Sequence, residues 1–95
     1  MVLALYEFRV KEGMEEDYLR TTEEKIKPFW ERRGCGYSVY RSTEEDGMFL
    51  KLMTFPDESS MRNALFEKDE ETKGIVGLFK GFVKDLKRSI YTKVL

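Results

Sequence analysis

The chain has 95 residues, 37% of them charged, with 17 basic against 18 acidic side chains and a net charge of -1. That length makes one domain with a modest core, and the balanced charge argues against a general nucleic-acid binder. There is no histidine, which excludes Ser-His-Asp and Cys-His catalysis, His-based zinc sites and His-ligated haem within the chain.

Cys35 is the only cysteine, so neither an intramolecular disulfide nor a thiolate metal cluster can form within one chain. Acid–base chemistry must then use carboxylates, tyrosines, lysines or this thiol. The start, Met1-Val2-Leu3-Ala4-Leu5-Tyr6, has no basic region and only a short apolar run, unlike a secretory signal. No stretch approaches the ~20 apolar residues of a membrane span. The expectation is a cytoplasmic protein with no membrane partner.

Residues 2–10 read as a strand. Val2, Ala4, Tyr6, Phe8 and Val10 form one apolar face, while Leu3 and Leu5 continue to Glu7 and Arg9 on the other. Gly13 breaks it, and from Glu15 the period becomes helical. Tyr18, Leu19, Thr22, Ile26, Phe29 and Trp30 fall within about a third of the helical circle at roughly 100° per residue. Acidic residues in the first turn and Arg32 and Arg33 in the last suit the helix dipole. Gly34 ends the helix, because a left-handed residue past the last turn favours glycine. Pro28 lacks an N–H and clashes with the carbonyl four residues back, at about 3 kcal/mol in a helix interior. A kink around Glu24–Pro28, or a second short helix beginning at Pro28, follows. A bend wrapping a twisted sheet is the plain consequence; a pocket shaped by the freed Glu24 carbonyl and Trp30 is the functional one.

Tyr37–Thr43 reads as the second strand, and Glu44-Glu45-Asp46-Gly47 as a turn with a strong Asp-Gly hairpin signal. Met48–Phe55 follows as an antiparallel partner. One face carries Met48, Leu50, Leu52 and Thr54, and the other Phe49, Met53 and Phe55 around Lys51. A strand exposed on one side alternates apolar with polar; this one needs cover on both. The chain's own helices can supply one cover. A second copy of the chain or a ligand must supply the other.

Pro56 stops this strand. Asp57 is an N-cap with Ser60 at the third helical position, and Met61, Ala64 and Leu65 mark a helical face. Glu67–Thr72 is a polar loop or the solvated start of the next helix. Ile75, Phe79, Phe82 and Leu86 make a helical stripe, with Gly74, Gly77 and Gly81 on the far side. Each glycine weakens a helix by about 1 kcal/mol against alanine, unless it permits close helix–helix approach. Leu86–Leu95 is the last strand, with Leu86, Arg88, Ile90, Thr92 and Val94 on one face. The order β-α-β-β-α-β is the ferredoxin-like split pattern, an α+β fold with a four-stranded antiparallel sheet and helices on one face.

Candidate site residues are few. Trp30, with Phe29, Tyr18 and the strand aromatics, either packs in the core or lines a cavity for a flat aromatic ligand. Arg41 and Arg88 lie within strands; each is an exposed edge charge or, if it points into an apolar interior, a holder of an anionic substrate or developing enolate. Asn63 is either solvated or a hydrogen-bond partner for a substrate oxygen. The acidic clusters Glu44-Glu45-Asp46 and Asp69-Glu70-Glu71 lack calcium-loop spacing, and no metal site is expected. Cys35, past a helix C-terminus, gains no activation from the dipole.

The strand Tyr6–Val10, the helix ending Phe29-Trp30-Glu31-Arg32-Arg33-Gly34-Cys35-Gly36, the Tyr37–Phe55 hairpin and the helix opening at Pro56-Asp57-Glu58-Ser59-Ser60 resemble the dimeric α/β-barrel superfamily. Within it the chain resembles the antibiotic biosynthesis monooxygenase-like proteins. The resemblance covers nearly the whole chain and is one of layout. It implies a homodimer whose sheets pack face to face into a barrel with helices outside. It also implies a small-molecule enzyme like the cofactor-independent monooxygenases, in which polar pocket groups help form a substrate carbanion that reacts with oxygen. No cofactor is then expected, and an apolar or aromatic substrate sits between helices and sheet. Trp30, Tyr40, Arg41 and Asn63 are the residue types such a pocket uses. The haem-degrading members use a histidine, which this chain lacks. A non-catalytic ligand-binding or regulatory module of the same fold is the alternative.

Overall fold

The computed structural model describes residues 1–67 and 69–95. Strand β1 (Val2–Val10) leads into helix α1 (Glu15–Thr21), a π-helical turn (Thr22–Ile26) and helix α2 (Lys27–Arg32). Strands β2 (Gly36–Arg41) and β3 (Met48–Phe55) form the hairpin, followed by helices α3 (Glu58–Leu65) and α4 (Glu70–Phe82) and strand β4 (Val83–Thr92). The four strands form one antiparallel sheet in the order β2-β3-β1-β4. This is the ferredoxin-like α+β fold expected from the element order. Among the described residues no helix is long and apolar enough to cross a membrane.

The helices cover one face of the sheet. Phe8 of β1, Phe49 of β3, Tyr18 of α1 and Phe79 of α4 meet there, with ring centroids 5.1–6.1 Å apart for Phe8 against the other three. Edge-on contacts dominate this cluster, the arrangement aromatic quadrupoles favour. In β3 the buried residues are Phe49, Lys51, Met53 and Phe55. The lysine face of that strand is therefore the inner one. Leu50 and Leu52 face outward with Leu3 and Leu5 of β1, and all four are half-buried.

Pro28 is accommodated by the π-helical turn. The Lys27 N–H reaches back five residues to the Thr22 carbonyl. Helix α2 then starts afresh with Pro28 in its first turn, where a missing N–H costs nothing. Gly34 takes φ 82° just beyond it, as the helix end requires. The Asp57 side chain accepts the Ser60 N–H at 2.7 Å, and Asp69 caps α4 by accepting the Thr72 N–H at the same distance. Helix α4 opens at Glu70, within the polar stretch 67–72, of which Lys68 lies outside the described residues.

Three expectations are corrected. The second strand ends at Arg41 rather than Thr43, because the Ser42 hydroxyl accepts the N–H groups of Glu44 and Glu45 and starts the turn early. The helical stripe ends at Phe82, not Leu86. Val83 already pairs with Val10, and the Lys11 N–H bonds the Phe82 carbonyl at 2.9 Å, so sheet pairing takes over from the helix. The last strand stops at Thr92 instead of Leu95. Nor do the glycines of α4 serve close packing. A methyl group at Gly74, Gly77 or Gly81 would meet nothing within 4 Å.

Candidate active site

The register places three polar side chains in one row on the inner face. Tyr6 of β1 pairs with Lys51 of β3 on one side and with Arg88 of β4 on the other. Side chains directly opposite across antiparallel strands lie about 5 Å apart at Cβ, so the three form a continuous line across the sheet. Arg88 reaches this line because of a bulge. Glu7 pairs with Lys87 but Arg9 pairs with Lys84, which leaves one extra residue in β4. Asp85 takes φ 55° there, in the left-handed region that aspartate tolerates better than most residues. An extra residue reverses the alternation of a strand. Without it, Lys87 would face inward and Arg88 outward.

A cavity of about 430 Å³ stands over this row, within the size range of small-molecule sites. Tyr6, Lys51 and Met53 form its floor, and Leu86 and Arg88 form the side toward the sheet edge. Trp30 closes one end, and Leu65 of α3 with Ile75, Val76, Phe79 and Lys80 of α4 make the roof. The lining is apolar and aromatic except for its three bases and the Tyr6 hydroxyl.

Lys51 is only 4% exposed. Its Nζ lies 3.5 Å from the Phe79 ring centroid, 4.2 Å from that of Tyr6 and 5.6 Å from that of Tyr37. These π faces favour a cation, yet no carboxylate or carbonyl accepts a hydrogen bond from the amine among the described residues. Burial therefore dominates and lowers the amine to about 7, against a slight opposing pull from Cys35. Burial also raises Tyr6, with the neighbouring Arg88 guanidinium pulling the other way. The Tyr37 hydroxyl is buried with no hydrogen-bond partner among the described residues, and burial raises it strongly. Cys35 is pushed up to about 11, chiefly by burial. It is a protonated structural thiol whose Sγ donates to the Gly36 carbonyl at 3.1 Å.

Of the five candidates named from sequence, Trp30 and Arg88 meet in this cavity. The other three are elsewhere. Tyr40 faces outward opposite Leu50 and is 52% exposed. Arg41 lies on the inner face, but at the end of the edge strand. It pairs with Glu15 at 2.6 Å and sits 5.8 Å from the Phe49 ring centroid. Tyr40 and Arg41 border a separate cleft with Ser42, Glu44 and Met48. Asn63 is exposed on α3 and does not line the cavity. The residue that sequence reasoning passed over is Lys51. Its signal was present: a lone cation two residues from Phe49 and two from Met53, on a face that alternation makes apolar.

The fold has many counterparts among solved structures. SnoaB, a cofactor-independent oxygenase from Streptomyces nogalater, superposes with a TM-score of 0.80 at 15% identity, covering 97% of this chain and 91% of that chain. A conserved protein from Methanosarcina mazei Go1 gives 0.79 at 21% identity, over 98% and 92% of the two chains. A putative antibiotic biosynthesis monooxygenase from Deinococcus radiodurans gives 0.78 at 18% identity, over 100% and 94%. No family model matches the sequence, and no curated protein matches it. At these identities the likeness establishes the fold, which is that of the antibiotic biosynthesis monooxygenase-like proteins, over essentially the whole chain.

Proposed function

We propose that this chain, with the fold of the antibiotic biosynthesis monooxygenase-like proteins, is a cofactor-independent oxygenase acting on a small aromatic substrate in the cavity above Lys51. The observation that carries the proposal is Lys51 itself, a buried amine with no acceptor among the described residues, held against aromatic rings at the floor of the cavity. An amine near 7 is matched to proton transfer at neutral pH. In this reading Tyr6, Trp30 and Phe79 hold the arene, and Lys51 takes a proton from a C–H made acidic by an adjacent carbonyl. The ammonium so formed and the Arg88 guanidinium then stabilise the enolate oxygen. Dioxygen is the oxidant: a CH₂ group and O₂ become C=O and water. The similarity to SnoaB supports this choice of reaction.

Oxygen uptake with an anthrone-type substrate tests it. The rate is expected to rise through pH 7 to a plateau as Lys51 loses its proton. Lys51→Met is expected to lower it by about 10²-fold or more, the usual size of a lost general base. Tight substrate binding with no oxygen uptake would replace the oxygenase by a binding module.

We also propose that a second copy of the chain covers the outer face of the sheet. Leu3, Leu5, Leu50 and Leu52 occupy adjacent outward positions, with Tyr40 and Tyr91 beside them, 52% and 54% exposed. A contiguous apolar patch of this kind is characteristic of an association surface.

A further inference from the structure

We infer that the cavity takes an aromatic anion, its ring held by Tyr6, Trp30 and Phe79 and its carboxylate- or phenolate-type head placed between Lys51 and Arg88. The inference rests on the reading of this cavity as the substrate site: the anion takes the place of the enolate that faces the Lys51 ammonium after proton transfer, so it binds as an inhibitor and not as the neutral substrate.

Three observations carry it. The described residues lining the cavity include Lys51, Lys80 and Arg88 and no carboxylate. Lys51 and Arg88 flank Tyr6 in a single row, so a head group above the Tyr6 hydroxyl lies within reach of both. Neither base has a carboxylate partner among the described residues, whereas Arg9, Arg33 and Arg41 elsewhere on the surface each do. A charge on buried Lys51 without a counter-charge is costly, which holds the amine toward its neutral form; an entering anion supplies the partner that lets it keep a proton. A neutral arene would fill the apolar space and leave Lys51 uncharged and Arg88 without a counter-charge.

The geometry has a consequence for protons. The titratable and charged groups facing Lys51 are Tyr6 from β1, Cys35 and Tyr37 from the β2 side, Lys80 from α4 and Arg88 from β4. None is an anion at pH 8, so the empty site leaves the Lys51 amine neutral there. An anion in the cavity draws a proton onto it. Binding of a carboxylate at pH 8 is therefore accompanied by uptake of about one proton.

The test is calorimetric titration of the full chain with 2-naphthoate and with its uncharged isostere 2-naphthamide, at pH 8 in two buffers of different ionisation enthalpy. Naphthoate is expected to bind at least tenfold tighter than the amide, with uptake of about one proton. In Lys51→Met the proton uptake disappears and the preference for naphthoate falls at least tenfold. Arg88→Gln, a change at an exposed position that leaves the core untouched, also weakens naphthoate at least tenfold while the amide stays within twofold. Equal binding of acid and amide, binding without proton uptake, or no binding of naphthoate to the folded protein would each overturn the inference. Its failure is separable from that of the oxygenase reading. Anthrone turnover without charge discrimination sinks only the anion site, and selective naphthoate binding without oxygen uptake sinks only the reaction.

Discussion

Lys51 couples the cavity to the stability of the fold. Its amine titrates at about 7 in the folded chain and near 10.4 when unfolded. Between these values the unfolded chain binds a proton that the folded chain does not. Stability contributed by this group therefore rises with pH above 7, by at most about 1.4 kcal/mol per unit, and its full cost is present below 7. Cys35, raised to about 11, acts in the opposite sense once the unfolded thiol starts to ionise near 8.5. Tyr18, raised to about 12, and the raised Tyr6 and Tyr37 add to that loss above 10. The window in which Lys51 dominates is pH 7 to 8.5. Lys51→Met is expected to be more stable than wild type at pH 6 by ~1–4 kcal/mol, the range found when buried charges give way to packed apolar atoms. The advantage shrinks toward pH 8.5. Urea unfolding at pH 6, 7 and 8.5 measures this; parallel curves for the two proteins would contradict it. The sequence shows why the residue was passed over. Alternation sets Lys51 with Phe49 and Met53, but the opposite face of β3, with Leu50 and Leu52, is as apolar. Which face lies under the helices is decided by packing from other elements, so a lysine on the inner face and one on the outer face read alike.

At the scale of elements, local rules account for most of what forms. The caps at Asp57 and Asp69, the Asp-Gly turn and the glycine after α2 are signals written in a few residues, and each acts as its chemistry requires. The departures arise where pairing overrides a local pattern. Phe82 and Leu86 fit one helical stripe, yet β1 draws Val83 onward into the sheet, and Leu86 reaches the cavity from a strand instead. The bulge at Asp85 is invisible to periodicity because it exists only as a mismatch with β1. Even so, the alternation of Arg88 with Ile90 and Thr92 was legible, and it put Arg88 among the site candidates. Helix α4 carries a separate prediction. Gly74 and Gly77 lie within it, exposed, with open space around them. Alanine there limits the unfolded chain without a clash. Gly74→Ala and Gly77→Ala are each expected to stabilise the protein by ~0.5–1 kcal/mol, read as a higher denaturant midpoint with unchanged slope. A loss of stability in either would mean that the glycine is needed for contacts the open surroundings do not show.

At the scale of the molecule, the two faces of the sheet have different tasks. The inner face holds the aromatic cluster and the Tyr6–Lys51–Arg88 row; the outer face carries the half-buried leucines Leu3, Leu5, Leu50 and Leu52. Leu52 stands near the middle of that outer face, between Ser38 of β2 and Leu5 of β1. A carboxylate there would be buried without a counter-charge in a face-to-face dimer but solvated in a monomer. Leu52→Glu is therefore expected to convert a dimer into a folded monomer. The inner packing of Phe49, Met53 and Phe55 points the other way and is untouched. Sedimentation of wild type at micromolar concentration should give twice the chain mass, and of Leu52→Glu the chain mass, with matching circular dichroism. A wild-type monomer under those conditions would remove the second copy as the cover of this face. A dimer that survives Leu52→Glu would place the interface elsewhere. Because the Lys51 cavity lies on the helix-covered face of the sheet, 2-naphthoate affinity is expected to stay within twofold in the monomeric variant. A larger loss would mean that assembly helps to shape the site.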